Sequence, residues 1–137
     1  MQLTGGCHCQ NITFQLDWPE EVMVARRCSC TFCQKHSAAW SSHAESQLVI
    51  SIADDADVSR YEMGTKTAQF LVCSACGVVT IAISEIEANL YAVFNVATLT
   101  ATPELQVSET KTNFDSESQK GRLLRRQQNW ISEVRFG

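Results

Sequence analysis

Alternating apolar and polar residues run through much of the chain and predict β-strands. In residues 11–16, Ile12, Phe14 and Leu16 alternate with polar neighbours, which is the period-two pattern of a half-buried strand. Further runs are β-branched or aromatic and have the length of a strand. These runs span residues 47–52, 68–73, 78–83 and 90–99. The pattern predicts a mainly β fold.

The segments between these runs predict turns and one helix. Residues 61–70 are typical of a β-hairpin with its turn at Gly64. The acidic residues at 53–57 lack the spacing of a calcium loop and predict a solvated turn. Only residues 116–130 have a helical pattern, for which Ser116 is the predicted N-cap. We therefore expect one short C-terminal helix.

Composition is that of one ordinary globular domain, which we assign to residues 1–137. The 137 residues are 45% hydrophobic and 19% charged. No apolar run approaches the length of a membrane span, and the first residues have neither the basic nor the apolar region of a secretion signal. These features predict a cytoplasmic protein without membrane association, whose thiols stay reduced.

Seven cysteines fall into three clusters along the chain. The clusters are Cys7 with Cys9, then Cys28, Cys30 and Cys33, then Cys73 with Cys76. A disulfide framework fits poorly because the count is odd and C-x-C spacing strains a disulfide. A redox dithiol needs C-x-x-C at a helix start, whereas the surroundings here predict strands. Clustered thiols are best explained by metal binding, and thiolate ligands favour zinc.

Zinc chemistry divides the seven cysteines into four and three. A structural zinc site takes four thiolates, whereas a catalytic site has three protein ligands and an open fourth position. The central cluster can surround one ion by itself, and the two outer pairs can share another. Gly77, directly after Cys76, suits the tight turn of a zinc knuckle. Spacing alone leaves open a site that mixes the clusters.

The order of these motifs resembles the glutathione-dependent formaldehyde-activating family, which includes centromere protein V-like proteins. The matching motifs are GCHC at 6–9, CSCTFC at 28–33, RY at 60–61 and FLVCSACG at 70–77. The resemblance implies an Mss4-like fold built around zinc knuckles. It also implies a zinc-dependent carbon–sulfur lyase that joins a glutathione-like thiol to a small aldehyde, as in the synthesis of S-(hydroxymethyl)glutathione.

The resemblance also assigns roles to the cysteines, with two zinc ions per chain. The implied structural zinc ligands are Cys7, Cys9, Cys73 and Cys76. The implied catalytic zinc ligands are Cys28, Cys30 and Cys33. Where the family commonly has two basic residues and a nearby glycine after this motif, the chain has one basic residue, Lys35, and no glycine.

Other polar and aromatic residues near the motifs are weaker candidates. Lys35 can steer an anionic thiol or protonate the new alkoxide, or it is a solvated surface lysine. His36 is a candidate proton carrier or fourth ligand, and His8 is a less favoured ligand. Three aromatic residues are expected in the core or in a pocket wall. They are Trp40, Phe94 and Trp130.

Charge argues against a nucleic-acid partner. The basic stretch from Lys120 to Arg126 suggests nucleic acid at first sight, but the net charge is −4 and bound zinc thiolates would make it more acidic. A small thiol and an aldehyde are the expected partners. The alternative is a non-catalytic zinc scaffold that binds another protein, although a scaffold has no need of an incomplete three-thiolate site.

Overall fold

Eleven strands and two helices form the part of the chain that the structure describes. The computed structural model describes residues 1–100 and 105–137. In chain order the strands are β1 (Gln2–Gly6), β2 (Ile12–Asp17), β3 (Val22–Cys28), β4 (Trp40–Ser41), β5 (Gln47–Ile52), β6 (Val58–Tyr61), β7 (Gln69–Cys73), β8 (Val79–Ile86), β9 (Asn89–Asn95), β10 (Gln106–Thr112) and β11 (Glu133–Phe136). The helices are α1 (Thr31–His36) and α2 (Gln119–Asn129). The predicted mainly β fold is confirmed.

The strands form two sheets. One sheet has four strands in the order β1-β2-β5-β11, and the other has seven in the order β10-β3-β4-β9-β8-β7-β6. Most neighbours are antiparallel, but β10 pairs with β3 and β11 pairs with β5 in parallel. The C-terminal part of the chain thus adds one strand to each sheet and places α2 between those two strands in sequence.

The main core contains buried side chains from both sheets. Ile12, Phe14 and Leu16 of β2 are buried, as their alternation predicts. Phe14 packs against Phe94 of β9 with ring centroids 5.9 Å apart, so aromatic rings from the two sheets meet in this core. Burial of large apolar side chains is the main stabilising contribution here, at about 1.5–3 kcal/mol for each.

Several predicted segments are confirmed, with small changes at their ends. The run at 90–99 is a strand only to Asn95, after which Val96–Thr98 forms a 3₁₀ turn. The predicted hairpin exists: β6 and β7 pair with Tyr61 opposite Phe70, and Gly64 has φ +61°. The acidic segment forms a 3₁₀ turn over Asp55–Asp57.

The helix prediction was partly wrong. The C-terminal helix is present, but its N-cap is Ser118 and not Ser116, and the Ser118 hydroxyl accepts a hydrogen bond from Gly121 N–H. The chain also has a second helix, α1, inside the central cysteine cluster, which the sequence did not predict. The Cys30 side chain caps α1, and cysteine is not among the usual N-cap residues. The segment therefore carried no ordinary helix signal.

In the part of the chain that the structure describes, no helix is long and apolar enough to cross a membrane.

Candidate metal centres and their cavity

Four cysteines from distant parts of the chain come together in the structure. They are Cys7, Cys9, Cys73 and Cys76, and their sulfur atoms all lie within 4.8 Å of one another. The sulfur of Cys9 is 3.8 Å from that of Cys7 and 3.5 Å from that of Cys73. These residues are the two outer pairs that the sequence grouped together.

Two tight turns present these sulfurs. Cys7 and Cys9 lie between β1 and β2, where the backbone N–H of Ile12 points to the Cys7 sulfur at 3.3 Å. Cys73 ends β7 and Cys76 lies in the turn to β8, in which Gly77 adopts φ +82°. Since β1 and β7 belong to different sheets, the four-cysteine group connects the sheets.

The distances in this group fit a tetrahedral zinc ion. Zn–S bonds of about 2.3 Å place the sulfurs of a tetrahedral site about 3.8 Å apart. The Cys7–Cys9 and Cys9–Cys73 separations are close to that value. The donor set consists of thiols alone, which zinc accepts and magnesium or calcium does not favour. The group can therefore hold a metal ion of the zinc type.

The second group consists of the three central cysteines. Cys28 ends β3, Cys30 is the N-cap of α1 and Cys33 lies in the first turn of α1. Their sulfur atoms also lie within 4.8 Å of one another, so this group too can hold a metal ion. The backbone N–H of Cys33 points to the Cys30 sulfur at 3.4 Å. The positions of the three sulfur atoms are thus set by a strand-to-helix turn and not by an irregular loop.

The two groups do not mix, and the other candidate ligands lie outside them. Within residues 1–100 and 105–137, no histidine or carboxylate joins either group. His8 is exposed, and the ring of His36 packs against Phe32 at 4.6 Å. All seven cysteines are free thiols, which removes the disulfide alternative. Cys30 and Cys33 do lie at a helix start, so the prediction that this C-x-x-C pair is surrounded by strands was wrong.

Each group contains one sulfur that favours the thiolate form. Hydrogen bonds from the side chain of Cys33 and from the backbone and side chain of Cys30 lower the pKa of Cys28 to about 6, although burial opposes this change. The same contact with Cys28, together with burial, raises the pKa of Cys33. Burial raises the pKa of Cys76, but the backbone N–H groups of Cys9 and Val78 outweigh it and lower the pKa to about 6. Thiolates are the form that binds metal.

Trp40 makes a direct contact with the three-cysteine group. Its indole Nε1–H points to the Cys33 sulfur at 3.3 Å, and both side chains are buried. The ring packs edge-on against Phe70 at 5.7 Å, which fixes the direction of the N–H. A fixed donor of this kind supports negative charge on the sulfur.

A cavity of about 390 Å³ opens beside the three-cysteine group. Cys28, Cys30 and Cys33 line it, whereas none of the four cysteines of the other group does. Trp40 and Trp130 form part of its wall, as expected of a pocket aromatic, while Phe94 lies fully buried in the core. The volume is within the range of small-molecule sites, about 300–1,000 Å³.

Four arginines that the sequence analysis did not assign to the site also line this cavity. They are Arg26, Arg122, Arg125 and Arg126. The last three belong to the basic stretch that first suggested nucleic acid. The spacing of three and four residues between them could have indicated a shared role, because it places the side chains on one face of a helix. Lys35 is exposed on α1 and is not part of the cavity lining.

Comparison with known proteins agrees with this arrangement. A family model described as glutathione-dependent formaldehyde-activating enzyme matches residues 2–121. The chain belongs to this family, as the cysteine motifs indicated. None of the curated proteins compared with the chain matches it significantly.

The fold is similar to that of a solved protein. A crystal structure of a Rhodobacter sphaeroides protein, a structural-genomics target, matches with a TM-score of 0.50 and 23% sequence identity. The match covers 77% of this chain and 99% of that chain. At this identity the likeness concerns the fold alone.

Proposed function

We propose that the protein is a zinc-dependent carbon–sulfur lyase that joins a small thiol to a small aldehyde, as in the synthesis of S-(hydroxymethyl)glutathione. The observation that carries the proposal is the difference between the two cysteine groups. The four-cysteine group connects the sheets, whereas the three-cysteine group lines a cavity of ligand size. Membership of the formaldehyde-activating family supports the same reaction.

In this proposal each group of cysteines holds one zinc ion. Cys7, Cys9, Cys73 and Cys76 would hold the structural ion, and Cys28, Cys30 and Cys33 the catalytic one. When bound by these three thiolates, zinc would lower the pKa of a substrate thiol beside it. The catalytic ion would exchange with zinc in solution more readily than the structural ion, because three protein ligands hold a metal less tightly than four.

The reaction adds the sulfur of the thiol to the carbonyl carbon of the aldehyde. The thiol loses its proton, the C–S bond forms, and the carbonyl π pair moves to oxygen. The oxygen then takes up one proton, so thiol and aldehyde become a hydroxyalkyl thioether without loss of any atom. Holding both reactants in one cavity converts an encounter in solution into a local reaction.

The protein's own residues supply position and environment. The Trp40 N–H supports negative charge on Cys33, and Trp40, Phe70 and Trp130 give the cavity an aromatic wall. The sequence proposed Lys35 as the steering residue, but four arginines line the same cavity as the three cysteines, whereas Lys35 does not. We therefore assign the steering of an anionic thiol to the arginine face, by which we mean the four arginines that line the cavity.

The test is a rate measurement with the zinc-loaded protein. Glutathione and ¹³C-formaldehyde form their adduct slowly without a catalyst, and exchange NMR follows its formation and breakdown. We expect the wild type to accelerate this exchange and Cys30→Ser to lose the acceleration. Cys30→Ser is a suitable variant because serine is a good N-cap and preserves the start of α1.

A matched control is Ser29→Ala, which changes a neighbouring cavity residue and leaves every thiol in place. We expect it to retain the acceleration. Equal exchange rates for wild type and Cys30→Ser would overturn the proposed reaction and favour the non-catalytic scaffold.

A further inference from the structure

The guanidinium of Arg126 is buried in the cavity wall and is only half satisfied. The residue is 8% exposed. Its Nη1 donates to the hydroxyls of Thr67, at 2.8 Å, and Ser84, at 3.1 Å. Within the described residues, Nε has no hydrogen-bond partner and is shielded from solvent. Buried donors nearly always have a partner, so an unpaired one in a cavity wall needs an explanation.

The geometry of this unpaired side is suited to a carboxylate. An arginine has five N–H donors, and two of the three on Nε and Nη2 lie side by side on one edge. That edge matches the two oxygens of a carboxylate through parallel hydrogen bonds. Thr67 and Ser84 occupy Nη1 and Nε is shielded from solvent, so Nη2, which has no hydrogen-bond partner among the described residues, is the donor of Arg126 that remains open to a carboxylate oxygen.

The neighbouring arginines of α2 already have partners. Arg125 forms two hydrogen bonds with the carboxylate of Glu117, at 2.9 and 3.1 Å, and lies over the ring of Phe114. Arg122 donates to the Phe114 carbonyl at 2.8 Å and lies near Glu117. Arg126, by contrast, forms no ion pair with a carboxylate of the described residues.

The guanidinium of Arg126 lies over the ring of Trp130, 4.9 Å from its centroid, but its charge is only partly compensated. Burial, together with repulsion from Arg125 and Arg122, lowers the pKa of Arg126 to about 10, and the attraction of Glu117 offsets only part of this change. Arg26, which also lines the cavity, likewise forms no ion pair with a described carboxylate, and its Nη2 donates to the hydroxyl of Ser42 at 2.9 Å. Four arginines and one carboxylate, Asp115, line the cavity. An anion entering this space would relieve the repulsion.

We propose that Arg126 is the specificity-determining residue of the cavity and that it selects a thiol substrate carrying a carboxylate. The inference rests on the proposed function for the role of the thiol, and it adds the residue that recognises the carboxylate of the substrate. Arg126 lies beyond residues 2–121, the part of the chain that matches the family model. The specificity would therefore reside in α2, an element that is largely outside the family motif.

The first test needs no variant. Isothermal titration of the zinc-loaded full chain compares glutathione with its dimethyl ester, in which both carboxylates are masked and the thiol is kept. We expect wild type to bind glutathione at least about tenfold more tightly, in line with the strength of charge-assisted hydrogen bonds. Equal affinity for acid and ester would overturn the inference.

The second test assigns the preference to Arg126. We expect Arg126→Gln to weaken glutathione binding by about 10- to 100-fold while leaving ester binding nearly unchanged. Arg126→Lys keeps the charge without the planar fork, and we expect an intermediate loss. Arg135→Gln is the matched control, because it removes one positive charge from an exposed position outside the cavity lining.

An equal loss in Arg126→Gln and Arg135→Gln would show a general charge effect and would overturn the assignment. Circular dichroism and metal content establish that each variant is folded and loaded. If Arg126→Gln fails to fold, the acid-to-ester ratio of Arg126→Lys decides the question: a ratio equal to that of wild type refutes the role.

S-Methylglutathione separates this inference from the proposed function, because it keeps both carboxylates and has no thiol to react. If it binds more tightly than its dimethyl ester and the difference depends on Arg126, the inference stands even when no adduct forms. If adduct formation depends on Cys30 but acid and ester are used equally, the inference is wrong and the proposed function stands.

Discussion

The indole nitrogen of Trp40 lies 3.3 Å from the sulfur of Cys33, and the two side chains are buried together. Cys33 belongs to α1 and Trp40 begins β4, so this hydrogen bond joins the helix of the three-cysteine group to the larger sheet. It is one of the contacts that position this sulfur relative to the sheet. Hydrogen bonds to a metal ligand commonly tune how tightly the ligand holds its ion.

Replacing this tryptophan tests the contact. We expect Trp40→Phe to weaken zinc binding at the three-cysteine group by about 10- to 100-fold, because the donor to Cys33 is lost. The phenyl ring retains most of the packing against Phe70, so the protein should remain folded. Competition with a zinc chelator measures the change. Trp130→Phe is the control, since Trp130 lines the cavity and, among the described residues, forms no hydrogen bond with a cysteine. Equal zinc affinity in wild type and Trp40→Phe would refute the role.

Metal content should differ between the two cysteine groups. We expect Cys30→Ser to stay folded with one zinc ion per chain, because the substituted serine still caps α1. Cys73 is fully buried between the sheets, and we expect Cys73→Ser to aggregate or to be digested rapidly, because a structural zinc supplies about 10 kcal/mol or more of folding free energy. Elemental analysis and limited proteolysis provide the measurements. Unfolding of Cys30→Ser with a stable Cys73→Ser would reverse the assignment.

Gly6, which begins the first cysteine motif, is constrained by space. A Cβ atom there would lie 2.6 Å from the carbonyl oxygen of Ile12, a backbone atom that cannot easily move. We expect Gly6→Ala to lower the free energy of unfolding by about 1–3 kcal/mol. Urea denaturation of the zinc-loaded protein measures this change. In Gly64→Ala nothing lies within 4 Å of the new atom, so only the strain of its φ of +61° should appear, about 1–2 kcal/mol.

Glu117 should make the arrangement of α2 dependent on pH. The hydrogen bonds from Arg125 lower the pKa of its carboxyl group below the ordinary value of 4.5. A lowered pKa in the folded state stabilises the protein fully above the unfolded value, and the contribution disappears as pH falls through the folded value. We expect Glu117→Gln to cost about 1 kcal/mol at neutral pH.

The cost of Glu117→Gln should vanish in acid, where the wild-type carboxyl group is protonated as well. Thermal unfolding of both proteins across this range provides the measurement. Glu133→Gln, which removes an exposed carboxylate on β11, is the control and should have little effect. If the loss of stability in Glu117→Gln stayed constant down to the lowest pH, the carboxylate would not be what holds the arginines.

The sequence predicted those parts of the molecule that depend on local pattern. Period-two alternation identified β2 because one face of that strand enters the core. Cysteine spacing predicted the groups of four and three, since each pair or triplet is held by a single turn. Gly77 was identified correctly as the residue of a tight turn with positive φ.

The elements that the sequence did not predict depend on contacts between distant residues. All but one of the residues of β10 are exposed at the edge of its sheet, so no alternation marks it as a strand. Helix α1 is capped by a thiol, which no capping rule would favour. The arginine face of the cavity could not be assigned from its own segment, because it acquires a role only where α2 lies near Cys28, Cys30 and Cys33.

The contact between the sulfurs of Cys9 and Cys73 spans 64 residues of sequence. Each sulfur comes from a turn between neighbouring antiparallel strands, β1–β2 and β7–β8, which can form early from local contacts. Bringing the two turns together closes a long loop, and no local contact offsets the chain entropy that this step costs. A metal ion bound by one turn offers the other turn a strong attachment point. Zinc should therefore act on the kinetics of folding as well as on stability, and the docking of the two hairpins should become faster as zinc concentration rises.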